Sequence, residues 1–118
     1  MTKVEGRFEI GDTMFELIDF FEPNEIFVEG TIMLKRGRKM GIRLKKEMVK
    51  KLLENKHLIP GELGEFDIVL AGVKIKFGER EIKMIPYIHK LGNNWVVGYG
   101  GIKYDWHRRA RLARSCEQ

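Results

Sequence analysis

Side chains that bind metals or form disulfides are scarce in this sequence. Its 118 residues include three histidines and one cysteine, Cys116. A single thiol cannot form a disulfide within the chain, and so low a cysteine count is typical of proteins from a reducing compartment. His57, His89 and His107 are scattered and lack the spacing of a zinc site. We therefore expect no metal and no cofactor.

Long apolar runs are also absent. No stretch approaches the roughly 20 consecutive apolar residues that cross a bilayer. The amino terminus, which carries Glu5, Glu9 and Asp12, lacks the cationic and then apolar pattern of a signal peptide. These absences predict a cytoplasmic protein with no membrane partner. The chain length, with 43% hydrophobic residues, predicts one domain over residues 1–118.

Sequence motifs of catalysis are missing too. Cys116 lies so close to the carboxyl end that a base and an oxyanion hole are hard to assemble around it. Arg111 and Arg114 are expected to lower the pKa of its thiol. Glu16 and Asp19 are candidates for an acid–base pair, but they are expected to lie on a solvated face of a strand. We predict that the protein is not an enzyme.

Charge is distributed unevenly along the chain, whose formal net charge is +5. The acidic segment, residues 1–29, carries two lysines and arginines against eight carboxylates. Residues 35–56 carry ten cations against two carboxylates, residues 57–102 are balanced, and residues 103–118 carry five cations against two carboxylates. This polarity favours a polyanionic or acidic partner.

Two hydrophobic periods divide the chain. Alternating apolar residues predict strands in the first third and again from residue 65. Between them, the apolar spacing from Leu44 to Leu53 is that of an amphipathic helix, which we predict over about 45–56. Gly11-Asp12 has the chemistry of a turn and is expected to close a hairpin.

Two basic segments receive their own predictions. Residues 33–40, with Gly37 as the turn residue, are interpreted as a basic β-hairpin. Residues 105–115, with Asp105 as N-cap, are interpreted as a basic C-terminal helix. The resulting fold class is mainly β (α+β), with one central helix. The order of elements over residues 7–99 resembles the OB-fold, which implies a small OB-like or related barrel.

The basic hairpin is the strongest functional candidate, because clustered cations repel one another unless a polyanion neutralises them. Aromatic side chains near other lysines are expected to stack bases. We therefore predict a non-catalytic, non-sequence-specific nucleic-acid-binding module, with single-stranded DNA or RNA as the favoured partner. The predicted binding residues are Lys35, Arg36, Arg38, Lys39, Arg43, Lys45, Tyr87, Trp95, Tyr99, Lys103, Arg108, Arg109 and Arg111.

Three alternatives stay open at this point. The first is a small adaptor or inhibitor that binds a protein partner through its acidic segment or its basic C-terminal helix. In the second, the acidic and basic segments pair with each other within the fold or across a homodimer, so that the polarity is structural. The third concerns Trp95, which stands beside Val96 and Val97, a context more typical of a core than of a stacking surface.

Overall fold

The computed structural model describes residues 3–42, 44–73, 75–77 and 82–116. The predicted binding residue Arg43 lies outside the described residues, as do residues 78–80, for which the sequence predicts a turn between two strands. The strands and α-helices are β1 Lys3–Ile10, β2 Thr13–Asp19, β3 Phe27–Glu29, α1 Gly30–Lys39, α2 Lys46–Glu54, β4 Asp67–Val69, β5 Ile75–Phe77, β6 Ile82–Leu91, β7 Asn94–Gly101, β8 Asp105–His107 and β9 Ala110–Cys116. The prediction of a mainly β chain with α-helices is confirmed.

The main sheet is open and mostly antiparallel. Its strands follow the order β1–β2–β9–β4–β6, and only the pair β4–β9 within this path is parallel. Since β7 pairs with residues 84–91 of β6, the strands β4 and β5 share the opposite edge of β6. Strands β3 and β8 form a separate two-stranded ribbon. The outer strands β1 and β7 do not pair with each other in the described residues, so no closed barrel is observed and the OB-like barrel is not confirmed.

Hydrophobic side chains cover both faces of this sheet, because successive residues of a strand point to opposite faces. The α2 face includes Phe8, Phe15, Leu17, Leu44, Val49, Leu52, Ile68 and Ile88. The α1 face includes Ile18, Met33, Leu34, Ile42, Val69, Ile85, Trp106 and Leu112. Burial of one such aliphatic side chain contributes about 1.5–3 kcal/mol, so these two clusters fix the helices on opposite sides of the sheet.

Two local predictions are confirmed. The chain reverses at Gly11, whose φ of 61° lies in the left-handed region that glycine adopts without strain, and β1 pairs with β2 on either side of it. The predicted central helix is α2, which buries Val49 and Leu52 and ends at Glu54, with Asn55 as its C-cap. Neither α1 nor α2, the α-helices of the described residues, has the length and apolar character of a membrane span.

The predicted basic hairpin at 33–40 is wrong, because residues 33–39 belong to helix α1 and Met40 is its C-cap. The buried positions of α1 are Gly30, Met33, Leu34 and Gly37, which follow helical spacing. Two of the four are glycines, so a hydrophobicity pattern does not register them. A Cβ on Gly30 would lie 2.6 Å from the carbonyl oxygen of Ile102, which shows how closely the start of the helix meets the β7–β8 connection.

The predicted C-terminal basic helix is also wrong. Residues 105–107 form β8, and residues 110–116 form β9, which lies between β2 and β4 in the sheet. Residues 110–113 of β9 are buried without interruption, because helices and loops cover both faces of a central strand. Burial in the sheet overrides the helix-favouring alanines and arginines of this segment.

Candidate functional site

The end of α1 and the start of α2 meet at a basic corner, which we define as Lys35, Arg38, Lys39, Lys45 and Lys46. All five side chains are exposed. Helix α1 closes with two hydrogen bonds, from Gly41 N to Arg38 O at 3.1 Å and from Ile42 N to Gly37 O at 2.8 Å. Gly41 takes a φ of 69° at this helix end, as glycine commonly does there. The reversed chain then leads directly into α2.

Buried residues on both faces of the sheet hold the basic corner in place. Ile42 packs in the cluster of the α1 face, whereas Leu44 packs in the cluster of the α2 face. The turn at Gly72 lies directly against Leu44, because a Cβ on Gly72 would come within 1.6 Å of the Leu44 carbonyl oxygen. The connection between the helices is therefore fixed at its middle by backbone packing.

The basic corner borders an open cleft of about 380 Å³, which we call the corner cleft. Its uncharged lining is Leu34, Gly37, Ile42, Leu44, Ala71 and Gly72. Among the residues that the structure describes, its charged lining consists of the cations Arg38, Lys45 and Lys46. Glu47 is exposed in the first turn of α2 but does not line the cleft. The cleft thus combines an apolar floor with a cationic rim.

Most of the cations in this corner lack acidic partners. Lys35, Arg38, Lys39 and Lys46 form no side-chain hydrogen bond or ion pair with any residue that the structure describes. Four uncompensated positive charges on two adjoining helix ends raise the local electrostatic potential, which attracts anions.

The acidic segment, in contrast, pairs largely with cations of the fold itself. Glu25 accepts two hydrogen bonds from Arg36, at 2.6 and 2.9 Å, and this contact lowers the pKa of Glu25 to about 2. Asp12 accepts a hydrogen bond from Lys51 at 3.0 Å, which also lowers its pKa. Arg36, one of the predicted binding residues, thus holds the 20–25 loop against α1 and does not line the corner cleft.

A buried ionic cluster joins the two ends of the chain. Glu16 of β2 has a side chain only 7% exposed, and it accepts hydrogen bonds from Arg7 at 2.7 Å and Arg114 at 2.6 Å. The Cys116 thiol also donates a hydrogen bond to Glu16, at 3.0 Å. These bonds, led by that of the thiol, lower the pKa of Glu16 to about 2. The expected solvated face for Glu16 and Asp19 is wrong, because both residues are buried.

The expected lowering of the pKa of the Cys116 thiol is also wrong. The hydrogen bond to the Glu16 carboxylate, together with burial, raises the pKa of the thiol, and these effects outweigh the opposite influence of Arg114 and Arg7. A thiol kept protonated is a weak nucleophile. The contact therefore gives Cys116 a structural role at the end of β9.

The C-terminal arginines of the predicted site bind to the fold rather than extend from a helix. Arg108 donates to the carbonyl oxygen of Glu25 at 2.9 Å, and Arg109 forms an ion pair with Asp67 at 3.3 Å. Arg111 is 8% exposed, and its guanidinium lies 4.9 Å from the centre of the Phe66 ring. These three side chains do not join the basic corner.

The aromatic residues of the predicted site divide between core and surface. Trp95 is buried and donates its indole N–H to the carbonyl oxygen of Ile59 at 3.0 Å. Tyr87 is half-buried, with its ring edge-on to Trp106 at 5.5 Å. Tyr99 is 45% exposed, and Lys103 is exposed. Of these four residues of the predicted site, Tyr99 and Lys103 are the exposed ones.

Tyr99 lies on the same side of the molecule as α2. It shares a face of β7 with Trp95, which belongs to the cluster of the α2 face. Leu70 N donates to Pro86 O at 3.0 Å, and Pro86 is the register partner of Tyr99. The turn after Leu70, which lines the corner cleft, is thus two strand spacings, roughly 10 Å, from the backbone of Tyr99.

The hydrophobicity pattern places Lys46 on the outer side of the central helix, yet the predicted site omits it. Its position at the first residue of α2 brings it to the rim of the corner cleft. In the described part of the chain, no group of three or more His, Cys, Asp or Glu side chains could hold a metal ion. The fold and the charges together define a small α+β domain with a cationic surface. No protein family, curated protein or solved structure matches this chain.

Proposed function

We propose that this protein binds nucleic acid, without catalysis and without strong sequence preference, through the basic corner. The observation that carries the proposal is the concentration of Lys35, Arg38, Lys39 and Lys46 on adjoining helix ends with no acidic partner in the described residues. Nearby, Arg36 and Lys51 form ion pairs with carboxylates of the fold, whereas these four form none with any residue that the structure describes. A polyanion would neutralise them.

Phosphate binding explains this arrangement in physical terms. A strand that places its phosphates along the corner releases its condensed counterions, which favours binding at low salt. Contacts of this kind read the backbone and not the bases, so they predict little sequence preference. In this proposal the phosphate contacts predicted for a basic hairpin are made by the ends of two helices. Lys46 is added to the predicted contacts.

Single-stranded DNA or RNA is the preferred partner in this proposal. Tyr99 is exposed on the side of α2, and an exposed aromatic ring contributes about 1–3 kcal/mol per stacked base. Bases are accessible for such stacking in single strands but not within a duplex. A protein-binding function through the acidic segment receives less support, since Glu16, Glu25 and Asp12 are engaged within the fold.

The double variant Arg38→Gln/Lys46→Gln tests the proposal. We expect its dissociation constant for labelled single strands to rise on the order of tenfold. For a single strand, the slope of log K against log salt should fall by about 1.4, about 0.7 for each phosphate that the variant no longer neutralises. Fluorescence anisotropy titrations between about 50 and 200 mM salt, with single-stranded and duplex DNA and RNA, measure both quantities.

The variant Lys3→Gln/Lys83→Gln is the matched control, because it removes the same charge from exposed positions outside the corner. It should bind nearly as tightly as the unaltered protein. Equal losses in the two variants would reduce the effect to net charge and would contradict a site at the corner. Absence of binding to all four nucleic acids at low salt would reject the proposed function and direct the search to a protein partner.

A further inference from the structure

A second cationic cleft lies at the opposite end of α2. It has a volume of about 600 Å³ and opens between the turn at Lys56–Leu58 and the β6–β7 hairpin; we call it the hairpin cleft. In the described part of the chain its polar lining consists of Lys56, His57, Gly61, Lys90, Asn93 and Asn94, and it includes no carboxylate. None of these polar residues belongs to the predicted site, but Trp95, which does, lines the apolar part of the cleft.

The fold itself positions Lys90 in this cleft. Its stem lies against Gly64, where a Cβ would come within 2.6 Å of the Lys90 Cδ. Its ammonium group donates to the carbonyl oxygen of Gly61 at 3.3 Å, a long bond that leaves further donors for a ligand. Asn93 and Asn94 are exposed on the hairpin across the cleft, and their amide groups are hydrogen-bond donors.

Helix α2 connects the two clefts. Lys46 at its first residue lines the corner cleft, and Lys56, just beyond its end, lines the hairpin cleft. At a rise of about 1.5 Å per residue the two lysines lie roughly 15 Å apart. Lys50, with a side chain 76% exposed, stands between them on the side of Lys46. Its pair with Glu54, at 3.9 Å, is solvent-exposed and therefore weak.

We propose that the hairpin cleft is a second phosphate-binding site, occupied by the same nucleic-acid strand that binds the basic corner. This inference rests on the proposed function. The strand runs along α2 and crosses roughly 15 Å, which corresponds to about four phosphates at the ~3.4 Å axial spacing of a stacked strand. The inference rests on two clefts, one at each end of α2, that have cations and no carboxylate among their described lining residues.

Oligonucleotide length distinguishes one site from two. Oligothymidylates of about three and about ten nucleotides serve as probes, because the shorter one cannot span both clefts and the longer one can. We expect Lys56→Gln/Lys90→Gln to weaken binding of the longer probe on the order of tenfold and to lower the slope of log K against log salt by about 1.4. It should leave the complex of the shorter probe with the basic corner unchanged within about twofold.

A second variant guards against a local change at Lys90. Asn93→Asp/Asn94→Asp adds two negative charges at the cleft while Lys90 keeps its hydrogen bond to Gly61, and aspartate suits a turn as well as asparagine does. It should lower the affinity for the longer probe by a similar factor. Thermal unfolding of each variant verifies that the fold is retained.

The outcomes separate the two proposals. One outcome is that Arg38→Gln/Lys46→Gln lowers the affinity for both probes, while both hairpin-cleft variants bind the longer probe as tightly as the unaltered protein. That outcome rejects the second site but leaves the proposed function supported. If the unaltered protein binds neither probe at low salt, both are rejected. A selective loss for the longer probe in the hairpin-cleft variants supports a continuous track.

Discussion

Replacement of Glu16 by glutamine is expected to lower the free energy of unfolding at pH 7 by about 3 kcal/mol, as when one partner of a buried ion pair is removed. The carboxylate accepts hydrogen bonds from Arg7, Arg114 and Cys116 while its own side chain is 7% exposed. Glutamine has nearly the same volume but no charge, so the two guanidinium groups lose their counterion. Because Arg7 is 62% exposed, water compensates part of the loss, which places the effect at the lower end of the range for such pairs.

Urea unfolding measures this effect, and Glu9→Gln provides the control. Glu9 lies on the neighbouring strand β1 but is exposed, so its replacement should change stability by less than about 0.5 kcal/mol. If the two glutamine variants are equally stable, the Glu16 cluster does not stabilise the fold, contrary to our expectation.

The same cluster makes stability depend on pH in acid. The pKa of Glu16 is about 2 in the folded protein against 4.5 as its ordinary value, so its stabilising effect is complete above about pH 4.5 and is lost as the pH falls towards 2. Asp12 and Glu25 also have lowered pKa values, so their protonation in acid destabilises the unaltered protein and the Glu16→Gln variant alike. The difference between unaltered protein and Glu16→Gln isolates Glu16, and it should shrink between pH 4.5 and pH 2. A constant difference would exclude this linkage.

This cluster also illustrates which features a single sequence predicts. The turn at Gly11 and the helix α2 depend on residues within a few positions of each other, so local patterns predict them. The bonds of Glu16 to Arg114 and Cys116 span about 100 residues and depend on the pairing of β2 with β9. No local pattern distinguishes a glutamate on such a strand from a solvated one.

The two wrong secondary-structure predictions have different physical causes. In α1, glycines occupy two of the four buried positions, 30 and 37. The helical period is therefore not visible in the apolar residues, and Ile32 and Leu34 instead continue the alternation of the preceding strand. In β9, small and cationic residues favour a helix locally, but Leu112 and its neighbours lie in the centre of the sheet. The concentration of cations at 35–46 is nevertheless evident in the sequence, because charge density does not depend on the type of secondary structure.

Gly72→Ala is expected to have the other large effect, a loss of stability of about 3 kcal/mol, together with weaker nucleic-acid binding. The added Cβ would lie 1.6 Å from the carbonyl oxygen of Leu44, and that oxygen belongs to the backbone and cannot move as a side chain does. The turn must shift away from Leu44, which separates the wall of the corner cleft from Lys45 and Lys46. Urea unfolding and anisotropy titration with a single strand measure the two losses.

Gly37→Ala is the matched control in the same cleft. Its Cβ would lie 3.2 Å from a terminal methyl group of Leu112, which can adjust by a small rotation. Alanine also favours the interior of a helix over glycine by about 1 kcal/mol, so this variant should be as stable as the unaltered protein or more stable. Full stability of Gly72→Ala would show that backbone packing against Leu44 does not hold the corner. A large loss of stability with unchanged nucleic-acid affinity would instead place the binding surface away from the corner cleft, because only that cleft depends on the packing of Gly72 against Leu44 in this proposal.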